Sequence, residues 1–169
     1  HYFGWVFYRD SPWQFPLGLM TNLGYPYETS VIYSDSIPLL AVFFKLLSPI
    51  LPEKFQYFGI WGILCFMLQG VFGALICNKY TDSIARIAGG SLLFILSPVL
   101  LNRMYYHSAM AAHWLILMAL YFLITQKQLS AKYWKALVSW AVLGALVAGI
   151  HQYFMVMCGV ICVGYSIYD

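Results

Sequence analysis

Long apolar runs separated by short polar segments make up most of the chain after residue 55. An α-helix needs about 20 predominantly apolar residues to cross the hydrocarbon core of a bilayer, and several of these runs approach that length. The last apolar stretch, Tyr133–Tyr168, is too long for one helix, and His151-Gln152 divides it. The pattern predicts an all-α, polytopic transmembrane helix bundle over 56–169, with helices at 56–77, 84–101, 109–124, 133–150 and 153–168.

A shorter apolar run, Ile37–Leu51, precedes this bundle, and Lys45 interrupts it. The run is too short for a comfortable span, so we predict a re-entrant or short membrane helix over 37–55, which includes the corner at Glu53-Lys54. The alternative is a short span in which the Lys45 side chain extends to the interface.

Residues 1–36 differ from the rest of the chain because they are rich in turn-forming residues and in Trp and Tyr. Trp and Tyr are enriched at membrane–water interfaces. This region is therefore predicted to be a structured external loop with short helices that lie in the plane of the interface. The turn-forming residues are Pro12, Pro16, Gly18, Gly24 and Pro26.

The composition agrees with a membrane protein, because 62% of the residues are hydrophobic and only 9% are charged. Soluble domains are about 45–50% apolar and about 25% charged, so this chain has too few charges to cover a soluble surface. A soluble enzyme, a disordered segment and a nucleic-acid-binding domain are thereby excluded. The net charge of +3 comes from scattered basic residues, so membrane lipid is the expected partner, and nucleic acid is not.

The basic residues also predict an orientation, because cytoplasmic loops carry an excess of Lys and Arg. Two loops that fall on one side of the bundle hold most of them: Lys79, Arg86, Lys127, Lys132 and Lys135. That side is predicted to be cytoplasmic. The non-cytoplasmic side then carries residues 1–36, the Glu53-Lys54 corner, Asn102–Ser108 and His151-Gln152, and so nearly every residue capable of chemistry.

Asp35 is the sharpest candidate for chemistry, because it lies directly before an apolar segment at the predicted non-cytoplasmic face. A carboxylate in such a position is suited to act as a general base or to bind a cation. The alternative role is an N-cap, since Asp or Ser before a helix with an early Pro is a common start signal.

Arg9 and Asp10 are adjacent, so on a helix their side chains point apart and are not predicted to pair. The guanidinium of Arg9 matches phosphate oxygens, which makes it a candidate phosphate ligand; a solvated turn is the alternative. Glu28 is a further candidate, with an ordinary polar loop position as its alternative.

Arg103 and His107 are spaced i, i+4 and share a face if the turn is helical. His113 is predicted inside an apolar helix, where a histidine is costly and suggests function; a satisfied structural histidine is the alternative. His151 and Gln152 interrupt an apolar run, as a turn between helices also would. No HExxH, P-loop, GxGxxG or Ser-His-Asp pattern is present, so neither a metal site nor a cofactor is indicated, although a divalent metal stays open.

Three segments carry a family resemblance: W-x-F-Y-R-D-x-P-W-x-F-P-L-G at Trp5–Gly18, YSDSIPLLA at Tyr33–Ala41 and FQYFGIW at Phe55–Trp61. The chain resembles an uncharacterised family of bacterial polytopic membrane proteins, which is itself similar to the GT-C superfamily of membrane glycosyltransferases. The resemblance implies a GT-C-like bundle in the bacterial inner membrane. It also implies transfer of a sugar from a polyprenyl-phosphate carrier to a glycan, lipid or protein acceptor on the non-cytoplasmic face.

The resemblance also implies roles for individual residues. The stretch Arg103–Ala109 is similar to a basic–aromatic–His stretch that opens a later helix in that superfamily. Asp35 and Asp10 are then the candidates for the catalytic acid. The candidates for holding the substrate or its phosphate are Arg9, Arg103, His107, Glu28, His113, His151 and Gln152.

Two alternatives to a transferase follow from the residues, a transporter or flippase and a non-enzymatic assembly subunit. His113 suits a transporter best, because transporters place ionisable residues near the middle of the bilayer. Since the chain begins at His1 in a polar-aromatic stretch, we expect an internal segment of a longer protein. GT-C enzymes place their key acid soon after their first span, so the main catalytic Asp could precede His1, with Asp35 as a second carboxylate or a cap.

Overall fold

The computed structural model describes residues 2–126 and 133–168, which are largely helical. Lys127 and Lys132, two of the residues behind the predicted orientation, lie outside this part of the chain. The helices are α1 (Tyr2–Asp10), α2 (Pro38–Leu46), α3 (Phe58–Cys77), α4 (Ile84–Ile95), α5 (Pro98–Tyr106), α6 (Trp114–Gln126), α7 (Tyr133–Ile150) and α8 (Gln152–Tyr168). Short 3₁₀ turns cover Val31–Ser34, Ser48–Ile50 and Ser108–Ala111. Two short antiparallel strands, β1 (Leu19–Met20) and β2 (Thr29–Ser30), form a pair within the first loop.

Three helical segments are long and apolar enough, by length and composition, to cross a membrane: Phe58–Cys77, Ile84–Tyr106 and Ser108–Thr125. The chain is thus an all-helical bundle with the properties of a membrane protein, as the apolar pattern predicted. Helices α7 and α8 are apolar but shorter.

The second of these segments is not one regular helix, although the sequence predicted a single helix over 84–101. Helix α4 ends at Ile95, and α5 begins at Pro98 and continues to Tyr106. Proline lacks a backbone N–H and favours the first turn of a helix, so Pro98 interrupts the predicted helix and starts a new one. The N–H that Pro98 lacks would otherwise bond to the carbonyl of Phe94, and the side-chain amide of Gln69 in α3 donates to that carbonyl at 3.4 Å.

Helix α3 lies between α4 and α6, and α6 in turn packs against α7 and α8. Close approach of α3 and α4 depends on glycine, because a Cβ on Gly73 would lie 2.9 Å from the Phe94 ring. The hydroxyl of Ser91 also donates to the carbonyl of Gly70 at 2.8 Å. None of the side chains of α4 is buried within the described part of the chain, so α4 lies at the edge of the bundle.

Residues 2–57 form a cap at one end of the bundle. Helix α1 packs against α2 and against the Val31–Ser34 turn, and α2 packs against α7. At nine residues α2 is about 13 Å long, far short of a span. The predicted alternative in which Lys45 extends to the interface is wrong, because Lys45 is buried and donates to the carbonyls of Tyr8 and Ser11 at 2.6 and 2.8 Å.

Candidate functional site

Asp35 lies in a strained turn between the Val31–Ser34 turn and α2. Its φ is 55°, and Ile37, two residues on, has a φ of 50°. A left-handed conformation is uncommon for Asp and a genuine outlier for a β-branched residue such as Ile. The residue that caps α2 is Ile37, which makes no side-chain capping bond in the described structure, so the predicted N-cap role of Asp35 is wrong.

Residues from two other parts of the cap, helix α1 and the segment 55–57, hold this turn. The hydroxyl of Tyr57 donates to the carbonyl of Ser36, a fully buried residue. Gly4 of α1 lies against the turn so closely that a Cβ at this position would overlap Ser34. Trp5 packs edge-on against Tyr57, with ring centroids 5.1 Å apart, and its indole N–H donates to the carbonyl of Phe55 at 2.9 Å. The strained conformation of Asp35 is therefore imposed by packing.

The carboxylate of Asp35 faces the end of α5. Its Oδ2 lies 3.9 Å from Nδ1 of His107, and the Asp35 side chain is 18% exposed, whereas that of His107 is 54% exposed. His107 follows the last residue of α5 and leaves the helix with a φ of −146°. The condition for a shared helical face of Arg103 and His107 is not met, because α5 ends at Tyr106 and the His107 side chain approaches Asp35.

The segment that carries His107 is held in place by a hydrogen bond from helix α3. The indole N–H of Trp61 in α3 donates to the carbonyl of Ser108 at 2.7 Å. Both Trp61 and Ser108 are buried. The next residue, Ala109, contributes a backbone hydrogen bond to Asp35. Asp35 thus lies at the beginning of the Ser108–Ala111 turn, where backbone N–H groups favour a negative charge.

His151 completes the group from the turn between α7 and α8. Its ring lies 5.0 Å from that of Tyr153 at a tilt of 31°, and its Nδ1 accepts a hydrogen bond from the Tyr153 N–H at 3.3 Å. Its charge acts on Asp35 together with that of His107. The sequence separations of the three residues are large, and only the folded bundle brings them together.

Burial is the largest influence on the pKa values of Asp35 and His151. It raises the pKa of the Asp35 carboxyl, although His151, His107 and the Ala109 backbone act in the opposite direction. Burial also lowers the pKa of His151, against the effect of Asp35. The neutral forms of both residues are favoured, because desolvation penalises the charged form of each. A carboxyl whose pKa is raised is a better proton acceptor once it is ionised.

His113 lies near this group, within the apolar segment Ser108–Thr125. It occupies the turn before α6, and its ring meets Phe154 edge-on at 6.0 Å. The ring of His151 meets the same Phe154 at 6.5 Å.

A cleft of about 150 Å³ opens beside His151. Most of its walls are apolar, and the polar groups come from His151 and the exposed Gln152. An apolar cleft with a few polar groups at one end suits an amphipathic ligand. The apolar walls come from Ile32 and Pro38 of the cap, Ala148 and Ile150 of α7, and Met155 of α8.

Other predicted site residues have different neighbours. The two terminal nitrogens of Arg9 donate to four carbonyls, those of Ser48, Leu51, Pro52 and Glu53, at 2.8–3.2 Å. Asp10 is exposed at the end of α1, and its charge acts on Lys45. Glu28 is exposed between the two strands.

Arg103 is half-buried in the last turn of α5, close enough to His113 to act on it electrostatically. Across residues 2–126 and 133–168, no three His, Cys, Asp or Glu side chains are placed to hold a metal ion. Sequence reasoning did not identify Tyr57, Gly4 or Trp61 as parts of the site. Their types carry no chemical signal, and only their positions in the fold give them a role.

The whole chain, residues 1–169, matches the family model described as a domain of unknown function, DUF6311, and the chain belongs to this family. No curated protein and no solved structure matches it.

Proposed function

We propose that this member of the DUF6311 family is an integral membrane glycosyltransferase that moves a sugar from a polyprenyl-phosphate carrier to an acceptor. We further propose that the protein lies in the bacterial inner membrane, with its site on the non-cytoplasmic side. One observation carries the proposal: the carboxylate of Asp35, whose side chain is 18% exposed, lies 3.9 Å from His107 and interacts electrostatically with His151, which lines an apolar cleft at one end of a membrane-type bundle.

Asp35 is the proposed general base. The acceptor hydroxyl oxygen forms a bond to the anomeric carbon of the sugar, and its proton passes to the Asp35 carboxylate. The bond between that carbon and the phosphate oxygen breaks, and its electron pair leaves on the polyprenyl phosphate. Such a displacement needs a carboxylate on the acceptor side and cationic or donor groups on the phosphate side.

His107 and His151 are the proposed donors to the phosphate, because His107 lies 3.9 Å from Asp35 and His151 lines the cleft. Arg103 supplies a permanent positive charge in the same region, at the end of α5. The apolar walls of the cleft suit a carrier lipid. Arg9 is left out of this role, because its terminal nitrogens are already bonded to four carbonyls.

The transporter alternative rested on His113. This histidine lies in the turn before α6, at the same end of the bundle as Asp35 and within the apolar segment Ser108–Thr125. Broken helices at the midplane with ionisable groups beside them are typical of transporters. Here the break between α4 and α5 is bridged by a neutral amide, that of Gln69.

The test follows release of polyprenyl phosphate from polyprenyl-phosphate sugars by the full-length protein in membranes. Asp35→Asn should lower the rate by about 10²–10⁴-fold, the usual contribution of a general base. Asp82→Asn is the matched control, because Asp82 is exposed near the start of α4, at the opposite end of the bundle, and should keep the wild-type rate.

Two outcomes contradict the proposal. If Asp10→Asn abolishes release while Asp35→Asn does not, the base is Asp10 and the assignment of Asp35 is wrong. If the wild-type protein releases no polyprenyl phosphate from any donor, while its Tm in the same membranes shows that it is folded, the transferase proposal fails.

A further inference from the structure

Helices α7 and α8 leave an open apolar groove of about 230 Å³ between them. Leu143, Gly144 and Val147 of α7 line one side at the spacing of a single helical face. Met155, Gly159 and Cys162 line the other side at the same kind of spacing. Every lining residue is uncharged. The groove therefore has the character of a hydrocarbon site.

Two glycines create the free space in this groove. A Cβ added to Gly144 or to Gly159 would find no atom within 4 Å. By contrast, a Cβ added to Gly149 of α7 would lie 3.1 Å from Leu39 of α2, because that glycine lies in a packed contact. The absence of side chains at Gly144 and Gly159 thus leaves space open without serving helix packing among the described residues.

The groove meets the candidate site at one end. Met155 lines both the groove and the cleft beside His151. An occupant of the groove would thus have an apolar part between α7 and α8 and a polar part near His151 and His107. The imidazole N–H groups of His151 and His107 can donate to phosphate oxygens, and Arg103 at the end of α5 adds a positive charge, which together suit a lipid with a phosphate headgroup.

We infer that the α7–α8 groove binds a single hydrocarbon chain of a phosphate-headed lipid, whose phosphate lies at His107 and His151. The identity of the headgroup rests on the proposed function, whereas the chain site rests on the groove itself. The connection to the cleft beside His151 through Met155 supports an occupant with an apolar chain and a polar head over a wholly apolar one.

The experiment uses the full-length protein in detergent and a single-chain alkyl phosphate with a photoreactive diazirine at the far end of its chain. Mass spectrometry locates the cross-links. In the wild-type protein we expect them in α7 and α8. Gly144→Leu and Gly159→Leu should each lower this labelling at least tenfold, because the new side chains fill the groove without a clash.

Gly89→Leu in α4 and Gly164→Leu in α8 are matched controls. Both glycines are exposed and have the same open space around them, but neither lines the groove, so labelling should be unchanged. The Tm of each variant checks that it is folded. If a groove variant does not fold, Gly144→Ala or Gly159→Ala replaces it and should give a smaller loss.

Competition identifies the lipid. Excess polyprenyl phosphate should abolish the labelling, and equal excess of phosphatidylglycerol should not. Equal competition by both lipids, or full labelling in both groove variants, would overturn the inference. Release of polyprenyl phosphate from the donor, measured in the same samples, separates the two proposals. If the wild-type protein is labelled but releases no polyprenyl phosphate, the groove proposal stands and the transferase proposal fails. If the groove variants lose the label but keep the wild-type rate of release, the transferase proposal stands and the groove proposal fails.

Discussion

At the scale of single residues, neighbours in sequence have unrelated roles. Arg9 binds the carbonyls of the 48–53 segment through both terminal nitrogens, whereas Asp10 beside it is exposed and acts on Lys45. The sequence correctly predicted that the two side chains diverge, because adjacent residues on a helix point in different directions. It did not predict the partners of Arg9, because backbone carbonyls leave no trace in a residue pattern.

The stability of the protein should depend on pH through Asp35. Burial raises its pKa above the unfolded value of 3.8, so the folded state resists ionisation of this carboxyl. Relative to Asp35→Asn, the wild-type protein should lose stability as the pH rises from 3.8 through the folded pKa. The difference in Tm between the two proteins, measured against pH in detergent, checks this. A difference that does not change with pH would contradict the burial argument.

His151 should show the opposite dependence. Burial lowers its pKa below 6.5, so the unfolded chain takes up the proton first and the folded state loses stability as the pH falls through this range. His151→Gln should remove that loss. Since Asp35 and His151 interact, the double variant should not equal the sum of the single variants.

Arg9→Lys should lower the free energy of unfolding by about 2 kcal/mol, because an ammonium keeps the charge but not the planar fork that reaches four carbonyls. Unfolding by added SDS measures the change. Arg86→Lys, an exposed substitution in α4, is the control and should be neutral. A normal stability together with a raised KM for the donor would instead show that Arg9 binds phosphate.

At the scale of elements, the break between α4 and α5 shows how a helix within a membrane tolerates proline. The freed carbonyl of Phe94 accepts from the Gln69 amide at 3.4 Å and from the Ser97 N–H at the same distance. Within hydrocarbon every backbone polar group needs a partner from the protein. The presence of a polar Gln69 in the apolar helix α3 is therefore explained by the N–H donor that Phe94 loses because residue 98 is proline. The apolar pattern of α3 alone does not reveal this link.

A double-mutant cycle tests this link. Gln69→Leu should cost about 1 kcal/mol of unfolding free energy, in the range of buried hydrogen bonds between membrane helices. In a Pro98→Ala background the restored N–H should satisfy the Phe94 carbonyl, and Gln69→Leu should then cost almost nothing. The same cost in both backgrounds would mean that the amide of Gln69 acts elsewhere. Unfolding in SDS provides the four free energies.

At the scale of the whole molecule, the alternating directions of the helices from α3 to α8 bring the ends of segments that are distant in sequence to one end of the bundle. The start of α3, the end of α5, the turn before α6 and the α7–α8 turn all lie beneath the cap of residues 2–57. The site is therefore a property of the bundle end, and each helix contributes only one or two of its residues.

The predicted orientation is tested by cysteine labelling in intact cells. Tyr105 and Tyr80 are exposed residues at opposite ends of the bundle. In a background without the four native cysteines, Tyr105→Cys should react with a membrane-impermeant maleimide from outside, and Tyr80→Cys only after permeabilisation. The reversed pattern would place the site on the cytoplasmic face.

The sequence alone determined that this is a helical membrane protein, because apolar runs long enough to cross a bilayer are typical of transmembrane helices. The alternation of those runs also predicted that residues 1–36, Asn102–Ser108 and His151 share one side. The tertiary structure decided which of these residues meet. Asp35 meets His107 and Ala109 because Tyr57, Gly4 and Trp61 fix two turns against each other, whereas Arg9 bonds to the carbonyls of the 48–53 segment. The physical reason is that hydrophobic periodicity constrains faces and lengths, while contacts between side chains depend on packing at sequence separations that periodicity does not encode.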